Sequence, residues 1–531
     1  MDILFAENSK RQVTELKPET VKDLALMEIV ESVADGENEI AIIRDIFTRV
    51  PVDIEDSRFR QEILKDFLEN ETLTQEITDA LYQIKALKDY AGSKSVMKNL
   101  DYNNLYTLLE SLRELAIYVN VSEEIVRCLK KSDIKSRGLI ALRDQLDQVV
   151  SDEGFETAKK DINAMLEDLS NVRGAIVGVN FTPDLNVEQV SIVEYVPYRI
   201  KSKYKFAEIA ASLYGIMNNA RSTNAPGIAS PPVEVRIVDP LLVTMTPQIE
   251  KHMKRHYGRM KSVMSKYLKL DASSVTEMYE ALVFYIAMAN FGRRLKAEGC
   301  DICLPVLKEP EGSESGSFVL RDLYNVRLFI AQEKNIITND LSFTPNEKMY
   351  ILTGPNRGGK TIIEQAVGII SVMAAIGSFV TASSCEGQPY RNVLTHFPID
   401  ENLTINYGRL GEEAVRIKEI VKEADERTLI LFNETYSTTS AADGLYLSKD
   451  LLRILKERGT ATIFNTHIHE VARSVEEMNQ WEGESDFVSI IMEMRDNVTT
   501  FKVKRSDPES KSYARNIAEK YGITYEQMKN S

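Results

Sequence analysis

The chain has 531 residues, with 65 Lys and Arg against 80 Asp and Glu, and so carries a formal charge of −15. That balance excludes a protein that coats nucleic acid through net charge, and any DNA or RNA contact must use a local basic patch. Charged residues at 27% and hydrophobic ones at 43% exclude a disordered or collagen-like chain, and four cysteines are too few for a disulfide framework.

The first residues, Met1 to Glu7, have neither the basic region nor the long apolar core of a secretory signal. The longest nearly uncharged apolar run, Val367 to Val380, is shorter than the ~20 residues of a membrane-spanning helix. These features predict a cytoplasmic protein with no membrane span. From Pro18 to Ser170 apolar residues recur at three- and four-residue spacing, as in Phe59, Ile63, Leu64, Phe67 and Leu68, which predicts long amphipathic helices. The period then changes. Ala175 to Asn180, a turn-rich Thr182-Pro183-Asp184, and Val187 to Val196 predict a small β insertion spanning about 172–200.

A loop with prolines at 226, 231 and 232 follows, and helical spacing resumes from Leu241 to Glu298. Within it, Lys251, Lys254, Arg255, Arg259, Lys261, Lys266 and Lys269 supply seven cations and no acid over residues 251–270. Two readings are open: a face that contacts nucleic-acid phosphates, or a solvated helix matched by acidic helices elsewhere. Arg199, Lys201, Lys203 and Lys205 form a smaller basic cluster. Cys300 and Cys303 with His252 and His256 have the chemistry of a zinc set but not the spacing of a zinc finger, and buried packing thiols are the preferred reading. A boundary falls near Cys303 to Pro305, dividing residues 1–303 from 304–531; beyond it strand-like and helical runs alternate as in an α/β domain.

Met349 to Thr353 reads as a buried strand running into Gly354-Pro355-Asn356-Arg357-Gly358-Gly359-Lys360-Thr361 and an apolar helix from Ile362. This is a complete P-loop. Glycines let backbone N–H groups close around phosphate oxygens, the helix N-terminus adds its positive dipole end, Lys360 reaches the outer phosphates and Thr361 offers a hydroxyl to Mg²⁺. The site thus predicts ATP and Mg²⁺. The apolar strand Thr428 to Phe432 ends at Asn433-Glu434. P-loop proteins usually place Asp on the Mg²⁺ side there; an amide still bonds a metal-bound water but brings no charge, which predicts weak Mg²⁺ binding. Glu434 is placed to polarise the attacking water. Another strand, Ala461 to Asn465, ends in Thr466-His467-Ile468-His469-Glu470, where His467 is a candidate γ-phosphate sensor rather than a metal ligand.

These motifs, in their order and spacing, with Thr439-Ser440-Ala441-Ala442-Asp443-Gly444 and the late Ser512-Tyr513-Ala514, resemble the ATPase domain of the MutS mismatch-repair family. Upstream, Tyr324 to Ile330 and Arg58 to Asp66 resemble the approach to that domain and the start of the family's helical core. The resemblance implies a multi-domain chain: an α-helical lever and clamp core with the β insertion, then an ABC-type P-loop ATPase and dimerisation domain. It implies a homodimer with nucleotide between one subunit's P-loop and the other's signature segment, and helical arms that close on duplex, mismatched or branched DNA. By position, Asn356 approaches the phosphates and Asp443 lies at a dimer-facing turn. The pattern departs at Gly408-Arg409-Leu410-Gly411-Glu412, which lacks the trans-acting hydroxyl, and at Tyr436-Ser437-Thr438, which replaces Gly-Arg-Gly. Phe5-Ala6-Glu7 spells the family's mismatch wedge, but the sequence before the helical core has no room for the domain that would hold it, nor for the connector after it.

The favoured expectation is a DNA-binding, nucleotide-gated ATPase, nucleoid-associated if bacterial. The rival is a nucleotide-gated structural or ribosome- and RNA-associated factor with weak ATPase, to which the acidic charge and the missing mismatch reader lend weight; Asn433 and Leu410 suggest a third reading, an ATP-binding switch with negligible turnover.

Overall fold

The structure is a computed structural model that describes residues 3–96, 105–170, 174–184, 187–198, 254–267, 273–309, 316–398, 409–437, 439–495, 498–505 and 525–529. In chain order, β1 (Val13–Glu15), α1 (Pro18–Asp23), α2 (Leu26–Val33), α3 (Glu37–Thr48), β2 (Arg49–Pro51) and α4 (Ile54–Glu69) lead to the long helices α5 (Glu71–Val96) and α6 (Leu105–Lys131). Helices α7 (Arg137–Val150) and α8 (Glu153–Ser170), strands β3 (Gly174–Phe181) and β4 (Val187–Val196), and helices α9 (Lys254–Tyr267), α10 (Ser273–Thr276) and α11 (Tyr279–Ala297) follow.

The remainder alternates as the sequence predicts: β5 (Val306–Leu307), β6 (Phe318–Leu323), α12 (Val326–Ile330), β7 (Asn339–Phe343), β8 (Glu347–Thr353), α13 (Lys360–Ala375), β9 (Ser384–Gly387) and β10 (Asn392–His396). Then come α14 (Arg409–Glu423), β11 (Thr428–Asn433), α15 (Ala441–Glu457), β12 (Ala461–Asn465), two short helices, β13 (Asp486–Arg495), β14 (Val498–Arg505) and a last short helix, Tyr525–Lys529. Among the described residues no helix is long and apolar enough to cross a membrane.

Packing divides the chain into two compact units, one of Met1–Tyr82, Ile125–Gln145 and Glu277–Ser531, the other of Gln83–Glu124 and Leu146–Thr276. Compactness therefore does not follow a cut at residue 303. In the first unit the main sheet has the order β10-β11-β12-β8-β13-β14, parallel except for the antiparallel edge strand β14. Strand β11 is buried along its whole length and β8 over Met349–Thr353, as parallel strands covered on both faces must be. A second sheet has the order β5-β9-β6-β7.

Helix α13 explains why the amino-terminal segment joins this unit. From Ile363 to Ala375 all its residues are buried, so it needs cover on more than its sheet-facing side. Residues from α1 to α4 provide it: the Gln365 amide donates to Asp23 O at 2.7 Å and the Ser57 hydroxyl to Ala375 O at 2.6 Å. Gly377 turns out of α13 at φ 79°, and a Cβ there would lie 2.5 Å from Ser57 O and from Arg60 Cβ, so only glycine permits the approach. The segment that spells a mismatch wedge is docked on α4: the Phe5 ring lies 5.1 Å from the Arg60 guanidinium, and the Ala6 N–H donates to Asp56 Oδ1 at 2.9 Å.

In the second unit β3 and β4 pair antiparallel, from Gly174 opposite Val196 to Phe181 opposite Val187, where the sequence predicts the β insertion. Tyr118 on α6 meets Phe155 on α8 edge to face at 6.1 Å. Helix α9 buries Met260 and Val263 at helical spacing, while Arg259 ion-pairs with Asp168 and Lys266 with Asp161 at 3.0 Å.

Candidate functional site: a P-loop cavity

Strand β8 delivers the chain to Gly354, whose φ of 143° and close neighbour, Met492 Cβ at 2.9 Å from where a side chain would start, require glycine. The loop bends through Arg357 at φ 61° and Gly359 at φ 91°, then enters α13 at Lys360. The Lys360 ammonium folds back on the loop and donates to Gly354 O at 3.1 Å and Pro355 O at 3.2 Å. Burial depresses its pKa, and the charges of Glu434 and Glu364 oppose that effect.

Four side chains link the loop to the strand ends. The Thr361 hydroxyl donates to Asn433 Oδ1 at 3.4 Å; the Asn465 amide donates to the same oxygen at 2.8 Å and to Glu364 Oε2 at 3.2 Å. Glu364 is fully buried on α13, and desolvation pushes its pKa well above the ordinary carboxylate value. Its Oε1 has no partner, nor does Asn465 Oδ1, among the described residues. The donors here are oxygens, which suits a hard cation held largely through water, and Thr361 with Asn433 would hold Mg²⁺; the strand end itself contributes no charge.

Glu434 stands in the left-handed region at φ 52°, as does Tyr436 at φ 62°. Two contacts hold this strained turn: the Glu434 N–H donates to Asn465 O at 2.9 Å, and the Tyr436 N–H to Glu413 Oε1 on α14 at 2.8 Å. Beneath it, His396 Nδ1 lies 3.0 Å from Thr435 Oγ1, and burial, followed by the nearby Arg416 charge, pulls the His396 pKa down to about 3.

A cavity of about 490 Å³ opens over the loop. Of the sequence-based candidates, Asn356, Arg357, Gly358, Gly359, Lys360, Thr361 and Glu434 line it. Asn433 is buried behind Thr361, and Pro355 accepts the Gly358 N–H at 3.0 Å. His467 is exposed at the end of β12 and does not line the cavity; His469, half-buried, feels the charge of Lys360. Asp443 lies in the first turn of α15, where its N–H donates to the capping Ser440 hydroxyl at 3.2 Å.

Of the basic candidates, Arg259 and Lys261 are exposed on α9, with Arg259 already paired. Lys254 and Arg255 belong to the same helix, whereas Lys251, Lys201 and Lys203 lie outside the described residues, as do Gly408, Thr438 and Ser512 to Ala514. Cys300, Cys303 and Cys385 are free thiols, and among the described residues no three potential metal ligands of the His, Cys, Asp and Glu types converge. Sequence reasoning missed Glu364 and Asn465, although an acid inside the apolar run Ile362 to Ile370 was a visible signal. It also missed the apolar wall of Tyr324, Leu328, Ile337, Met492 and Phe501, for which distant segments must meet.

Comparison with known families places two parts of the chain. Residues 350–530 match the family described as MutS domain V, and residues 52–199 match the MutS2 N-terminal domain. Over these two parts the chain resembles MutS-family proteins. It is 24% identical over 394 residues to the Endonuclease MutS2 of Clostridium novyi, covering 71% of this chain and 44% of that protein. It is 25% identical over 288 residues to the DNA mismatch repair protein MutS of Thermosipho melanesiensis, covering 53% and 35%. A 143-residue stretch is 32% identical to MutS of Prochlorococcus marinus, covering 27% and 16%. The matches thus span less than half the length of these MutS-family relatives.

Proposed function

We propose that this chain binds and hydrolyses ATP with Mg²⁺ and uses nucleotide occupancy to control a grip on DNA. The observation that carries the reading is the convergence of Lys360, Thr361 and Glu434 on one cavity over the P-loop, with Asn433 buried behind Thr361 and accepting its hydroxyl at 3.4 Å. Lys360 and the loop amides bind the β- and γ-phosphates, and Glu434 orients the attacking water. Mg²⁺, held at Thr361 and through water at Asn433, supplies charge neutralisation to the phosphates when bound. Because both of those oxygens are neutral, turnover is slow and strongly dependent on Mg²⁺ concentration.

His467, exposed at a strand end, senses the γ-phosphate once the site closes, and Asp443 serves a dimer-facing turn. Residues 1–303 act as the lever and clamp module and residues 304–531 as the ATPase and dimerisation module of a homodimer. DNA is the proposed partner because the relatives are named a DNA mismatch repair protein and an endonuclease, and Lys254, Arg255, Arg259 and Lys261 are its proposed phosphate contacts.

The test is ATP turnover and equilibrium binding to homoduplex, mismatched and branched DNA and to structured RNA, each across a salt series. A steep salt slope on DNA that changes with ATP, and loss of nucleotide binding in Lys360→Ala, are expected. Unchanged turnover in purified Lys360→Ala defeats the ATPase assignment, and tighter binding to RNA than to every DNA defeats the choice of partner.

A further inference from the structure

Glu434 and Tyr436 are non-glycine residues that both stand in the left-handed region, at φ 52° and φ 62°, with only Thr435 between them. Side chains keep such a backbone only where the surroundings over-determine it. Three separate elements do so. The Glu434 N–H donates to Asn465 O on β12 at 2.9 Å, Thr435 Oγ1 lies 3.0 Å from His396 Nδ1 on β10, and the Tyr436 N–H donates to Glu413 Oε1 on α14 at 2.8 Å.

Glu413 is the unusual member of this set. Its side chain keeps only 14% of its surface exposed, and burial raises its pKa. Little around it compensates for the lost water. His396 Nε2 lies 3.9 Å away on a ring whose own pKa is pulled down to about 3 by burial, and Arg416, one turn along α14, reaches instead to Phe397 O at 3.3 Å and Asp23 Oδ2 at 4.0 Å. Among the described residues the hydrogen bond of the Glu413 carboxyl goes to the Tyr436 N–H. A carboxyl taken out of water for one main-chain N–H is costly, and this N–H closes the turn whose first residue, Glu434, lines the cavity with Lys360 and Thr361. The Tyr436 ring is buried in the same apolar cluster as Ile417 and Ile420 of α14. Packing thus ties the turn to the helix, and the carboxyl fixes its backbone.

We propose that Glu413 is a positioning residue for ATP hydrolysis, acting through the Tyr436 N–H to hold the Glu434 carboxyl where the attacking water must be met. The proposal rests on the reading of Glu434 given above and adds to it the group that aims it. Without that acceptor the two left-handed residues can relax together toward ordinary φ, which turns the Glu434 side chain away from the reacting atoms. Phosphate binding by Lys360 and the loop amides does not depend on this turn.

Single-turnover hydrolysis and calorimetric ATP binding, both with Mg²⁺ on the full chain, test it in three variants. Glu413→Gln keeps an oxygen that accepts the N–H, so rate and affinity should both stay within about threefold of wild type. Glu413→Leu keeps the bulk without an acceptor and should slow hydrolysis about tenfold or more while ATP affinity stays within about twofold. Glu413→Ala should show the same split, so the comparison stands even if the leucine variant folds poorly. Undiminished hydrolysis in the variants that lack an acceptor, equal losses of rate and affinity in them, or a glutamine variant as slow as they are overturns the proposal. A wild-type chain that binds ATP but does not hydrolyse it brings down the role of Glu434 and this proposal with it, whereas hydrolysis that Glu434→Gln abolishes leaves that role intact whatever the Glu413 variants do.

Discussion

The Asn465 side-chain amide joins Asn433 to Glu364, donating to one at 2.8 Å and to the other at 3.2 Å. The effect is to bring a fully buried carboxyl to within two side chains of the Thr361 hydroxyl, beside a strand end that carries only an amide. A titratable carboxyl thus lies one layer deeper than the amide at position 433, on the helix that the P-loop opens.

Asn433→Asp should strengthen Mg²⁺-dependent hydrolysis. The carboxylate can accept the same bonds from Thr361 and Asn465 that the amide oxygen accepts now, and it adds a negative charge facing the cation. The Mg²⁺ concentration for half-maximal turnover should fall about tenfold. Turnover measured against Mg²⁺ checks this; a flat or reduced rate would show that Asn433 serves a different metal arrangement.

Glu364→Gln should change the pH dependence of stability. Burial raises the Glu364 pKa in the folded chain, so the proton is bound more tightly there than in the unfolded chain. The stability this confers is present below the ordinary carboxylate pKa and is lost as pH rises toward the folded value. Glutamine keeps the shape without titrating. The melting temperature of the variant relative to wild type should therefore climb from pH 5 to pH 9, and a constant difference across that range would contradict the upward shift.

Gly377→Ala should destabilise the first unit. A methyl group would meet Ser57 O at 2.5 Å and would sit on a backbone at φ 79°. Left-handed strain of about 1 kcal/mol and overpacking of about 1–3 kcal/mol add in the same direction. Denaturant unfolding should show a loss of roughly 2 kcal/mol or more, and a loss under 0.5 kcal/mol would mean that the turn can move away from α4.

The P-loop, its strand and helix, the strand ends at Asn433 and Asn465, and the hairpin at 174–196 were legible in the sequence because each is a local pattern. Glycine spacing fixes the loop, and apolar runs or alternation fix the strands. Tertiary structure alone decided that the first eighty residues belong with the P-loop unit, because the need to cover α13 on both faces is met by a segment more than 300 residues away. It also decided which cations of α9 are matched, since Asp161 and Asp168 face Lys266 and Arg259 only when α8 and α9 pack. Phe501, Asn339 and Tyr324 come from separate strands and loops with no shared motif. Sequence by itself located the P-loop as the candidate phosphate site; what surrounds it depended on contacts between residues far apart in the chain, and these leave no periodic trace.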